Sequence, residues 1–84
     1  MQNETVQTGY EVRVCGCFAS ELPGTADGRA AAIAKAEALA KTLPAEDVSE
    51  GQPFEVVVTV DQMAYRGGEW VYVGEEARFP GSKQ

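Results

Sequence analysis

Histidine is absent from these 84 residues, and seven lysines and arginines face thirteen aspartates and glutamates. Without imidazole, acid–base chemistry near neutral pH would fall to carboxylates. None of them stands beside a nucleophile in the sequence, or in an apolar setting that would raise its pKa. The net charge of −6 repels phosphate backbones and anionic lipid, which argues against direct binding of nucleic acid or membranes. The same charge attracts a basic partner, including a protein whose own task is to bind nucleic acid.

Long apolar runs are missing too. No stretch approaches the ~20 residues needed to cross a bilayer. The first residues lack the basic-then-apolar layout of a secretion signal, so a cytoplasmic location is the default expectation.

Cysteine is scarce, with only Cys15 and Cys17, on either side of Gly16. On one extended strand they would share a face about 7 Å apart, too far for an unstrained bridge. Two thiolates make half of a structural zinc site, and the other ligands would have to be carboxylates or come from another subunit. The simpler reading is two small, soft residues packed on a strand, with no metal and no cofactor. Neither cysteine has a visible base or helix N-terminus that would make it a nucleophile. Phosphate-binding spacing is absent as well: Gly67-Gly68 reads as a turn, and Pro23-Gly24 to Gly28 matches no nucleotide fingerprint.

What is present describes one small ordered domain, expected over residues 5–79, with residues 1–4 and 80–84 as frayed ends. Hydrophobic and charged fractions of 44% and 24% are those of a chain that folds. A first strand is expected from Thr5 to Phe18. Val6, Tyr10, Val12, Val14 and Phe18 lie on one side; Glu11, Arg13, Cys15 and Cys17 lie on the other. Gly9 and Gly16 mark a bulge or bend within it. Ser20 to Gly24 reads as a loop with a Pro-Gly turn.

Thr25 or Asp27 can cap a helix that runs from about Asp27 to Leu43 and stops at Pro44. At 100° per residue, Ala32, Ile33, Ala36, Leu39, Ala40 and Leu43 form one stripe, thin enough to let the helix lie close to a sheet. Ala45 to Pro53 reads as an acidic loop carrying Glu46, Asp47 and Glu50, without the alternation and central glycine of a calcium loop.

Phe54 to Tyr65 is the clearest strand. Gly67-Gly68 then offers a two-residue hairpin, since both positions accept positive φ. That turn pairs Arg66 with Glu69, Tyr65 with Trp70 and Met63 with Tyr72; continued, it pairs Val58 with Ala77 and Val56 with Phe79. It places Val56, Val58, Val60, Val71, Val73, Ala77 and Phe79 towards the helix, with Gln62 and Glu75 breaking the pattern. A bulge near Asp61 to Gln62 is therefore expected.

The resulting expectation is an α+β fold of β-α-β-β order, one Ala-rich helix on one face of a three-stranded, largely antiparallel sheet. The first strand pairs either parallel with the second or antiparallel with the third. One sheet face then has no helix. It carries Val57, Met63, Tyr65, Trp70 and Tyr72, residue types enriched at interfaces. These five, with Glu46, Asp47 and Glu50, are the candidate partner-binding residues. The functional expectation is a non-enzymatic module that occupies a surface of another protein. A phage-type inhibitor, such as an anti-CRISPR protein blocking a basic nucleic-acid channel, is one concrete form. The alternative is a homo-oligomer that binds a small ligand through the open sheet face.

Overall fold

The computed structural model describes residues 7–83. The expected loose start at Met1 to Glu4, the placement of Val6, and Gln84 lie outside them. The described chain is α+β, with one helix against an antiparallel sheet. The sheet has four strands rather than three, and a separate two-stranded sheet accompanies it. The order along the chain is β1 (Gln7–Val14), β2 (Cys17–Pro23), α1 (Ala26–Ala40), β3 (Glu46–Ser49), β4 (Gln52–Glu55), β5 (Val57–Arg66) and β6 (Glu69–Pro80). Across the main sheet the strands run β2-β1-β5-β6, every neighbouring pair antiparallel.

The extra strand arises where one continuous strand was expected. Cys15 and Gly16 both take positive φ, 51° and 84°, and form a two-residue turn that folds β2 back onto β1. Ser20 to Pro23 is thus edge strand rather than loop. This hairpin also revises the pairing of the first strand. Both β2 and β5 run antiparallel to β1. The crossover through α1 therefore joins parallel strands, but β1 lies between them.

A second correction concerns the acidic loop. Ala45 to Pro53 is not irregular: β3 and β4 form a hairpin turned at Glu50-Gly51, again with both φ values positive. Every residue of this arm is exposed. The arm is closed at its base where the Val56 N–H donates to the Ala45 carbonyl at 2.9 Å.

The helix starts where its sequence implies but ends at Ala40, three residues short of the expected Leu43; Thr42 and Leu43 instead make tighter turn bonds to the Leu39 and Ala40 carbonyls. The Thr25 side chain accepts from the Gly28 N–H at 2.9 Å, which satisfies one free donor of the first turn. Gly28, Ala32, Ala36 and Ala40 recur every four residues as a single buried line. Such small residues bring the helix axis onto the sheet, and Gly28 sits closest of all. A Cβ there would collide with the Pro23 carbonyl oxygen. Val12, Val58 and Val60 are fully buried beneath this line, with Tyr10 beside them and Ile33, Leu39, Leu43, Ala77 and Phe79 around the edge.

Beyond Phe79, where the sequence pattern anticipates a loose end, the backbone is tied down. Gly81 donates to the Val56 carbonyl, Ser82 to that of Ala40 and Lys83 to that of Leu43, each at 2.9 Å. The Ala40 carbonyl, at the helix C-terminus, also accepts from the Leu43 N–H at 3.2 Å, so the chain end is tied to the turn that closes the helix. The described molecule measures 56 × 27 × 15 Å, with a radius of gyration of 14.9 Å. A compact chain of this length would have about 12 Å. It is long and flat, one helix and one sheet thick.

Candidate functional site

Among the described residues no element covers the face of the main sheet turned away from α1. Register assigns its residues: Phe18, Glu21 and Pro23 from β2; Gly9, Glu11 and Arg13 from β1; Val57, Thr59, Asp61, Met63 and Tyr65 from β5; Trp70, Tyr72, Glu75, Arg78 and Pro80 from β6. They fall into three zones along the sheet.

The aromatic zone lies at the β5–β6 hairpin, whose Gly67-Gly68 turn has positive φ at both glycines, as the sequence implies. Tyr65 faces Trp70 with ring centroids 5.4 Å apart and planes at 67°, an edge-to-face pair. Met63 faces Tyr72. The rings stay open to solvent: Tyr65 is 41% exposed, Trp70 47% and Tyr72 59%. Met63, by contrast, is buried on this face. Val57, the other expected apolar member, stands at the far end opposite Pro80 and is half-buried. The patch is therefore a group of four at one end, and Val57 does not join it.

The pairing holds from Arg66–Glu69 to Met63–Tyr72 and then departs from a simple register. Shifts fall at Gln62/Met63 and at Val60/Asp61, so Val58 meets Phe79 and Val60 meets Ala77. A bulge in this region was expected; there are two. Each moves β6 by one residue, and two such shifts restore the original faces. Val58, Val60, Ala77 and Phe79 accordingly still face the helix, whereas Val73 is the residue skipped at the first shift and is exposed. The Glu76 skipped at the second shift reaches Arg29 of the helix at 3.1 Å.

The charged zone lies at the centre. Arg13 pairs with Glu11 and stands 3.5 Å from the Asp61 carboxylate; Arg78 binds Glu75 at 3.0 Å. Asp61 is 8% exposed. Burial pushes its carboxyl above the ordinary aspartate value. Arg13 and the Thr59 hydroxyl pull it back, and Glu75 and Glu11 add to the rise. This cluster consists largely of internally satisfied ion pairs, and it makes the middle of the face polar rather than apolar. Among the described residues no three cysteine or acidic side chains are arranged to hold a metal ion.

At the third zone Phe18 stands 58% exposed opposite Arg13. Sequence alternation put Phe18 on the helix face and Cys17 on the open one. The turn at Cys15-Gly16 exchanges them, because Cys17 pairs with Val14 and Phe18 with Arg13. Both thiols are free and exposed rather than packed.

Glu46, Asp47 and Glu50 lie on the β3–β4 arm, apart from the aromatic zone. Glu46 faces Glu55, and Asp47 faces Phe54. Between Lys41 and Arg66 the chain has no basic residue, so nothing in the arm offsets these charges. Val48 at 63% and Phe54 at 38% exposure add apolar surface to it. No helix among the described residues is long and apolar enough to cross a membrane.

No family model matches the chain, and neither a curated protein nor a solved structure does.

Proposed function

We propose that this chain is a non-enzymatic binding protein that acts by occupying a surface of a partner protein. One observation carries the reading: Tyr65, Trp70 and Tyr72 remain 41–59% exposed, together, on the sheet face that α1 leaves bare. Aromatic ladders also stabilise hairpins without any partner. These rings, however, leave 41–59% of their surface to solvent, and Trp and Tyr are among the side chains that most often anchor interfaces. The net charge of −6 and the acids of the β3–β4 arm, which contains no basic residue, favour a basic partner. A protein that binds nucleic acid is such a partner, and a phage-type inhibitor of the anti-CRISPR kind is one form the activity would take.

The test is capture on the immobilised chain from an extract of its own source or host. The Tyr65→Ala/Trp70→Ala/Tyr72→Ala variant runs in parallel. The reading expects one protein held in stoichiometric amount by the parent and lost from the variant. Nothing held by either, with the parent a monomer in sedimentation, contradicts it. The alternative, a homo-oligomer that binds a small ligand on this face, draws support from a groove of about 320 Å³ lined by Gly9, Pro23, Met63 and Trp70. It expects a multiple of the 9.0 kDa chain mass in the same sedimentation run.

A further inference from the structure

At its aromatic end the open face has a concavity, centred on Gly9, which has no side chain to fill it. Gly9 lies between Pro23 of β2 and Met63 of β5, its register partners. A groove of about 320 Å³ opens above it, walled by Trp70, Met63 and Pro23 and rimmed by Glu11 and Glu21. The far edge of the indole leans across the sheet to the glycine. Its Cη2 and Cζ3 atoms lie 3.7 Å from where a Gly9 Cβ would stand. The volume is at the small end of the ~300–1,000 Å³ typical of ligand sites, so it suits one side chain rather than an extended molecule.

The rim decides which side chain. Glu11 and Glu21 face each other on β1 and β2, and two like charges so placed repel. Arg13 offsets Glu11, while Glu21 is exposed and makes no ion pair among the described residues. A carboxylate outside any ion pair among the described residues thus lines the same groove as a half-exposed indole. That combination attracts a cation on two counts, charge and the negative face of the ring. A guanidinium suits both best, because its planar fork stacks on the ring while its N–H groups reach a carboxylate; an ammonium is a strongly hydrated point charge with no flat face to stack.

We infer that this groove seats a single arginine side chain of a basic partner protein. The guanidinium rests against Trp70 and Glu21, and its stem lies over Met63 and the Gly9 backbone. This rests on the reading of the open face as a protein-docking surface and names the anchor that face would accept.

Trp70 is the only tryptophan, so its emission reports on the groove alone. The probe is the peptide acetyl-Gly-Arg-Gly-amide, titrated beside its lysine and citrulline counterparts. The arginine peptide should change Trp70 emission saturably. Lysine should bind about fivefold more weakly and citrulline not at all, as the loss of a stacked or charged contact implies. Glu21→Gln, at an exposed position, should weaken the arginine peptide by about the same factor. Gly9→Val should abolish the response while leaving the circular dichroism spectrum and melt intact. A Cβ at Gly9 makes only ordinary contacts of 3.5–3.7 Å, with the Leu22 carbonyl and the Trp70 ring, and the γ carbons of valine would project beyond it into the groove.

Equal responses to arginine and citrulline would overturn the inference, as would an arginine response undiminished in both variants. Failure here is separable from failure of the docking reading. If Gly9→Val still captures the partner but no peptide binds, the groove assignment falls and the docking face stands. If the arginine peptide binds as described but no protein is captured, the cation site stands and docking falls.

Discussion

Asp61 shows how tightly the charged zone is balanced. It is the only buried charged residue among those described, and its partner Arg13 also serves Glu11. Burial holds its carboxyl above the 3.8 at which an unfolded aspartate titrates. Between 3.8 and the raised value the folded state therefore binds more protons than the unfolded one, and stability falls as pH rises through that window. Asp61→Asn removes this loss. Its melting temperature relative to the parent should be more favourable at pH 7 than at pH 3.5, by paired thermal melts at both values. A difference that does not change with pH would contradict the account. Arg13→Gln should act in the opposite sense, costing about 1–3 kcal/mol by leaving two carboxylates without their cation. Urea titration at pH 7 would measure it.

The elements differ in how far the sequence announces them. The Gly67-Gly68 hairpin is legible because two adjacent glycines admit almost no other turn. The Cys15-Gly16 and Glu50-Gly51 turns have the same backbone geometry but only one glycine each, and both are hidden for that reason. In β1 and β2 the alternation runs unbroken through the turn, so two short strands look like one long one. In the arm the cause is different. Both faces of β3–β4 meet solvent, so no buried face imposes a pattern on its side chains. The thin helix stripe and the aromatic patch were readable, because burial and register alone decide them. The groove was not, since it depends on Gly9, Pro23 and Glu21 meeting across a hairpin that alternation conceals.

The same exposure predicts that the arm is dispensable for folding. Ala45 and Val56 are already hydrogen-bonded across its base. Replacing residues 46–55 with Asn-Gly should therefore leave the melting temperature within about 4 °C of the parent, equivalent to under 1 kcal/mol. A drop of 10 °C or more, about 2 kcal/mol on the same scale, would show that the arm supports the core. If the arm's acids help to steer a basic partner, the same variant should bind that partner more slowly and with less dependence on salt.

At the scale of the whole molecule, the described residues form a flat slab covered on one side. The helix seals a small valine and alanine core, and the opposite face divides into an aromatic end, an ion-paired centre and an isolated Phe18. That division narrows the place where a partner would gain most. The ionic centre has already spent its charges on itself, whereas the aromatic end offers exposed rings beside a groove with an unpaired carboxylate. The central claim is that a partner sits on Trp70. The most direct test is the emission of that single tryptophan in complex with the captured protein, using a partner whose own tryptophans are replaced or fluorine-labelled. The account predicts a shift of the Trp70 maximum to shorter wavelength and protection from acrylamide quenching. A bound complex in which Trp70 emits and quenches as it does in the free chain would contradict it.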